Sequence, residues 1–292
     1  MNPVLVKEFR QRWRTAKTPL IISLYLLVIG GLAFFFMYEQ IFRRGYIQVG
    51  QSKNLFMMLS LLQMALIAFV APGLTSGVIS GERERQTLNL LLTTHLSPTS
   101  IVLSKLLTSV SFVLLLIVST LPLYAMVLLY GGVSPLQLVA AFGFFVLLIL
   151  FCGSFGILCS VWFKRTSVST VVAYGVLFVI LAGAPFLSFI LEDWFWRGNL
   201  YPNYPYLNNN PYINSLPVIF QAMSPPMMLL HFFEPRTFPN MPERGGPLLD
   251  MWVSNPWPIF LTVFPLLTLI LIGLSIYLLH PVRPKWRRRQ KH

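Results

Sequence analysis

Glu82, Arg83, Glu84 and Arg85 stand side by side in a chain that elsewhere carries long stretches without charge. Four alternating charges suit ion pairs and charge-assisted hydrogen bonds to a partner. Before them come Gly73, Gly77 and Gly81, with Ser76 and Ser80 alongside; after them come Gln86, Thr87, Leu88, Leu91 and Leu92, then Ser97-Pro98. Small residues every four positions allow another helix to approach closely, within one subunit or between two. Ser80 reads as an N-cap, with Glu82 and Glu84 in the first turn, where the helix dipole favours acids. The three leucines fall at i, i+3 and i+4, so this short helix has an apolar side as well as a charged head. Ser97 and Pro98 read as the N-cap and first-turn proline of the next helix. The whole stretch from Gly73 to Lys105 thus reads as a helix leaving a bilayer, a short polar-headed helix in water, and a re-entry. The bland alternative is a solvated charged turn.

Other reactive residue types form no constellation. His95, His231, His280 and His292 are scattered, so neither a zinc site nor a catalytic pair is suggested. Cys152 and Cys159 sit in one apolar run and read as packing residues, not as a disulfide framework. The phosphate-binding pattern G-x-x-x-x-G-K-[ST] does not occur, so no ATP hydrolysis is expected from this chain itself.

The elements that must position the charged head are membrane helices. Of 292 residues, 55% are hydrophobic and 11% charged, and the mean hydropathy is +0.68; soluble domains carry about 25% charged residues. Six runs are long enough for a hydrocarbon core that needs about 20 helical residues: 18–38, 55–79, 106–130, 136–163, 168–191 and 257–280. None of them contains Asp, Glu, Lys or Arg, and backbone groups in lipid must be satisfied internally, so they are helices. Pro72 is expected to kink the second. In the fourth, Cys152-Gly153-Ser154-Phe155-Gly156 offers a small-residue face. With the N-terminus inside, the inner segments hold sixteen Lys and Arg against six outside, which places both termini on the cytoplasmic side. The net charge of +13 is then membrane topology and not a nucleic-acid footprint.

Residues 1–17 are not a signal peptide. Leu5, Val6, Phe9, Trp13 and Ala16 share one face and Lys7, Arg10, Arg14 and Lys17 another, as in an interfacial helix lying on anionic headgroups. Lys164 and Arg165, after Trp162-Phe163, and the tail Arg287, Arg288 and Arg289 within 281–292 are read as further membrane-interface anchors. Gly131-Gly132-Val133-Ser134-Pro135 reads as a tight outer turn. The polar interval 192–256 holds eleven of the 22 prolines. Its apolar part, 213–233, is broken by Pro217 and Pro225-Pro226; it reads as short helices in the outer leaflet, one of them capped by Ser224-Pro225, and not as a seventh span.

Ile79-Ser80-Gly81-Glu82-Arg83-Glu84, Thr87-Leu88-Asn89-Leu90-Leu91-Leu92-Thr93-Thr94 and Leu96-Ser97-Pro98 resemble the SGEREQGTLELLLTTPLSP signature of ABC transporter permeases of the type 2 exporter class. The opening Asn2-Pro3-Val4-Leu5-Val6-Lys7-Glu8-Phe9-Arg10 is similar to that family's N-terminus. The resemblance implies a single all-α permease domain over 1–292, with six transmembrane helices, an N-terminal elbow helix (1–17), a cytoplasmic coupling segment (80–105) and short outer helices before the last span. It implies that Gly81 to Leu92 dock on a separate ABC ATPase: Glu82, Arg83, Glu84 and Arg85 by polar contacts, Leu88, Leu91 and Leu92 in a groove. Two ATPase copies would carry the ATP and magnesium. It further implies a second permease, identical or sister, and a bacterial plasma membrane. Two departures stand out. Arg85-Gln86-Thr87 replaces the usual Gln-Gly-Thr, expected to stiffen the segment, and His95 stands where proline is common. The competing readings are a membrane sensor or scaffold using the same fold, and an ion-coupled secondary transporter, which the charge-free spans disfavour. The same apolar spans suggest an amphipathic or lipidic cargo.

Overall fold

The computed structural model describes residues 17–44, 49–87, 97–129, 131–196, 220–234 and 257–280, which form helices and turns with no strand among them. The helices are α1 (Lys17–Arg44), α2 (Val49–Thr75), α3 (Ser80–Glu84), α4 (Pro98–Ser119), α5 (Leu121–Leu129), α6 (Pro135–Trp162), α7 (Thr166–Phe178), α8 (Ala184–Trp196), α9 (Pro225–Phe233) and α10 (Trp257–Leu279). Six stretches can cross a membrane: Pro19–Glu39, Lys53–Glu84, Pro98–Leu129, Pro135–Trp162, Thr166–Ile190 and Trp257–Leu279. They coincide with the six runs read from the sequence, and the chain is an all-α, multi-pass membrane protein. The third span starts at Pro98, earlier than its apolar run, and so takes in Lys105. The interfacial stretch with Phe9 and Trp13, the leucines Leu88, Leu91 and Leu92, most of 192–256 and the tail with Arg287, Arg288 and Arg289 lie outside the described residues.

Prolines decide where spans break. The third span divides between α4 and α5 because Pro122 has no N–H to give the Val118 carbonyl; Thr120 closes the preceding turn, its hydroxyl donating to Ile117 O at 2.7 Å. The fifth divides at a π-helical turn, Val179–Gly183, just before Pro185, which withdraws the bond Leu181 would accept. In the second span Pro72 lies inside α2, and regular helix persists three residues further, to Thr75. Gly131 (φ 79°) and Gly132 (φ 88°) make the tight turn into α6. There a capping box closes: Ser134 Oγ accepts from Gln137 N, and Gln137 Oε1 accepts from Ser134 N.

α6 is the hub. On one side Gly153 and Gly156 bring it close to α2 and α4: a Cβ on Gly156 would lie 3.4 Å from the Pro72 Cα and overlap the Thr75 hydroxyl. On its other side Phe144 stacks on Phe260 of α10 at 5.0 Å, and Phe151 meets Phe264 edge-on at 4.9 Å. Small residues therefore seat one neighbour and rings the other. About half of the second and fourth spans is buried, against 17% of the first and 11% of the fifth. Those two flank the bundle. At nine residues α9 is too short to cross; it packs on the N-terminal half of α2, where Phe233 meets Phe56 at 5.2 Å. Its N-cap residue is Ser224, as expected, although no side-chain capping bond forms.

Candidate functional site

The charged head folds as α3, the short helix that ends the Lys53–Glu84 stretch, beyond the apolar run 55–79. Between α2 and α3 the chain turns once through Ser76–Ile79 and keeps helical dihedrals at Ile79 (φ −100°, ψ −41°). This corrects the expected cap. Ser80 never takes the extended conformation an N-cap needs; its hydroxyl donates back to Ser76 O at 3.1 Å. The amides of Ile79 and Ser80 are instead satisfied from α6, by Ser160 Oγ at 2.8 and 2.9 Å. Glu82 does fall in the first turn of α3.

Three successive charges then reach three different helices. Glu82 Oε1 accepts from Lys105 Nζ of α4 at 2.6 Å; Lys105 is 3% exposed and Glu82 26%. Arg83 donates to Phe163 O at 3.3 Å and to Val161 O at 3.1 Å, so its guanidinium sits at the C-terminal end of α6, where carbonyls lack intrahelical partners and the dipole favours a cation. Glu84 does the reverse for α7. Its carboxylate accepts from Thr166 N at 2.7 Å and Thr166 Oγ1 at 2.9 Å, supplying from another helix the cap that Arg165, at the N-cap position, does not provide. Beyond the end of the apolar run these two bonds, with help from the Arg165 guanidinium, hold the Glu84 carboxyl below the usual carboxylate range.

The next residues face outward. Arg85, Gln86 and Thr87 are exposed, as are Lys164 and Arg165 in the loop between α6 and α7. Gln86 has φ 58°, the left-handed conformation. Thr87 Oγ1 donates to Glu82 O at 3.2 Å. The Ser97 cap expected for the third span is present: Ser97 Oγ accepts from Ser100 N at 3.2 Å, with Pro98 in the first turn.

The glycine stripe lies against α7 of the same chain. A Cβ on Gly73 would be 2.6 Å from the Tyr174 hydroxyl and one on Gly77 3.1 Å from Thr166 Cγ2, while Gly81 leaves 3.8 Å to Thr166 Oγ1. Tyr174 donates to Phe69 O at 2.7 Å, Ser169 to Ser76 O at 2.7 Å, and Ser76 and Thr170 share a hydrogen bond of 3.0 Å. The structure thus gathers Gly73, Gly77, Gly81, Glu82, Arg83, Glu84, Arg85, Gln86 and Thr87 with Lys164 and Arg165 at one end of the bundle. Sequence reasoning did not single out Lys105, Ser160 or Thr166. Only Lys105 left a signal, as a cation at the edge of an apolar run; the two hydroxyls resemble many others.

Among the described residues no three His, Cys, Asp or Glu side chains converge as metal ligands. What the arrangement can do is mechanical: a short helix tied to the ends of α4, α6 and α7 while presenting charged side chains outward. A search of curated proteins finds no match. The profile of the ABC-2 family transporter proteins, however, matches residues 2–278. With that coverage, six membrane spans and a charged helix between the second and third, the chain belongs to the ABC-2 transporter family.

Proposed function

We propose that the protein is the membrane-spanning permease subunit of an ATP-binding cassette exporter, contributing half of a translocation pathway and driven by a separate ATPase. The observation that carries this reading is α3. It leaves the second span on the side where Lys and Arg concentrate, and it is joined through Glu82, Arg83 and Glu84 to the third, fourth and fifth spans. A push on such a helix moves several spans together, and packed helix interfaces have discrete alternative arrangements. ATP and magnesium belong to two copies of the ATPase, and a second permease, identical or sister, completes the pathway. The excess of Lys and Arg in the segments that share a side with the termini supports cytoplasmic termini, and the signature supports a bacterial plasma membrane.

Mild crosslinking in the native membrane, followed by mass spectrometry of what is attached to residues 80–97, tests this directly. An ABC ATPase subunit is the expected adduct. Its absence, under conditions where other permeases retain theirs, would leave the sensor or scaffold reading in front.

A further inference from the structure

The alternating charges divide by task in a way their sequence does not announce. Glu82, Arg83 and Glu84 are each engaged within the chain, by Lys105, by the last carbonyls of α6 and by the first amide and hydroxyl of α7. Both acids are thereby matched: one against a buried ammonium, the other against a helix N-terminus. Among the described residues, the exposed charges not engaged in this way at this end of the bundle are Arg85, Lys164 and Arg165, and Arg165 stands close enough to Glu84 to lower its carboxyl. Among the described residues the exposed charge here is thus net positive, three cations against the exposed but hydrogen-bonded Glu84, although acids and bases alternate in the sequence.

We infer that Glu82, Arg83 and Glu84 are positioning residues that lock the coupling helix to the third, fourth and fifth spans, and that Arg85, Lys164 and Arg165 form a basic docking face for an acidic surface of the ATPase. The inference rests on the permease reading and adds the loop between the fourth and fifth spans to the contact. Each latch bond suits its place. The part-buried ion pair holds α3 on α4, and removing its acid would weaken the hold on a buried ammonium. The cation at the end of α6 and the anion at the start of α7 each complement a dipole. Complementary charge across an interface mainly sets encounter rate and partner choice, and it is sensitive to salt.

The test uses the full chain purified from its native membrane with whatever ATPase accompanies it. Glu82→Ala and Arg83→Ala should keep the ATPase at wild-type amounts and continue to hydrolyse ATP. In those variants the change in distance between spin labels at positions 129 and 187, driven by ATP and vanadate, should shrink severalfold. Arg85→Glu and the double variant Lys164→Glu/Arg165→Glu should lose the ATPase at least tenfold, with the remainder dissociating as salt is raised. In the chain alone, Glu82→Ala should lower the thermal midpoint and the exchange Glu82→Lys/Lys105→Glu should restore it. Loss of the ATPase from a folded Glu82→Ala or Arg83→Ala protein would make those residues direct contacts and overturn the division. Undiminished ATPase on the charge-reversed proteins would overturn the docking face and leave those cations to lipid headgroups. No ATPase on the unaltered chain would refute the permease reading and the docking face together, whereas failure of the charge exchange refutes the latch alone.

Discussion

Gln86 adopts φ 58° one residue past the C-cap of α3, a place where helices commonly end on glycine because only glycine enters the left-handed region without a Cβ penalty. The related signature has glycine at this position. Its absence is therefore not a simple stiffening of the segment: the turn is retained and a non-glycine residue is forced into it, at roughly 1 kcal/mol or somewhat more. Gln86→Gly should raise the thermal midpoint of the detergent-solubilised chain, and Gln86→Val should lower it. Glu84 makes a second prediction, in pH. Its folded pKa is depressed, so its capping contribution is fully present above the ordinary carboxylate pKa of about 4.3 and is lost as pH falls through the lower folded value. At neutral pH, Glu84→Gln should keep much of the cap, since an amide oxygen still accepts, whereas Glu84→Ala should free the Thr166 amide. Hydrogen exchange at the start of α7 reports the difference: faster in the alanine variant, near wild type in the glutamine variant.

Two glycines of the same helix separate packing from propensity. Gly156 lies where α6 crosses α2; a methyl there would overlap the Thr75 hydroxyl, lie 3.0 Å from Thr75 Cβ and press toward the Pro72 backbone. Thr75 cannot easily give way, being β-branched and bonded to Ala71 O at 2.8 Å. Gly143, further along α6, has nothing within 4 Å of its would-be Cβ. Gly156→Ala should therefore destabilise by about 1–3 kcal/mol, while Gly143→Ala should gain up to about 1 kcal/mol of helix propensity. Opposite shifts in thermal midpoint are the check, and equal shifts would mean that α2 and α6 do not cross there. At this scale the sequence was legible where the signal is local. The apolar runs gave six spans, Gly131-Gly132 the tight turn before α6, and Ser97-Pro98 the helix start. It was not legible where a local feature is answered from afar: Ser80 looked like a cap, but the oxygen that caps α3 is Ser160, 80 residues away. A hydroxyl in an apolar run carries no mark of the amide it will meet.

Among the described residues the middle of the bundle is free of charge and mostly apolar, and a polar seam runs through it. Tyr25 of α1 faces Gln63 of α2, and Ser60 of α2 faces Tyr124 of α5, but neither pair reaches ordinary hydrogen-bond geometry, so among the described residues the four buried side chains, both amide atoms of Gln63 included, have at best weak, poorly formed partners. A buried polar group without a partner costs about 1–3 kcal/mol, so a chain selected for stability alone would carry leucine and phenylalanine here. The composition that made the spans readable hid this seam, because a glutamine and two tyrosines barely alter the hydropathy of a run. Where a sequence departs from local consistency, function is the usual reason, and a protein that shifts between packings can use a seam satisfied in only one of them. Gln63→Leu, of similar size, should therefore raise the thermal midpoint of the purified complex while slowing its ATP-driven turnover. Calorimetry and a steady-state ATPase assay on the same preparation read both effects. A lowered midpoint would show that the Gln63 amide is already satisfied by a group outside the chain; a raised midpoint with unchanged turnover would make the seam a packing defect and nothing more.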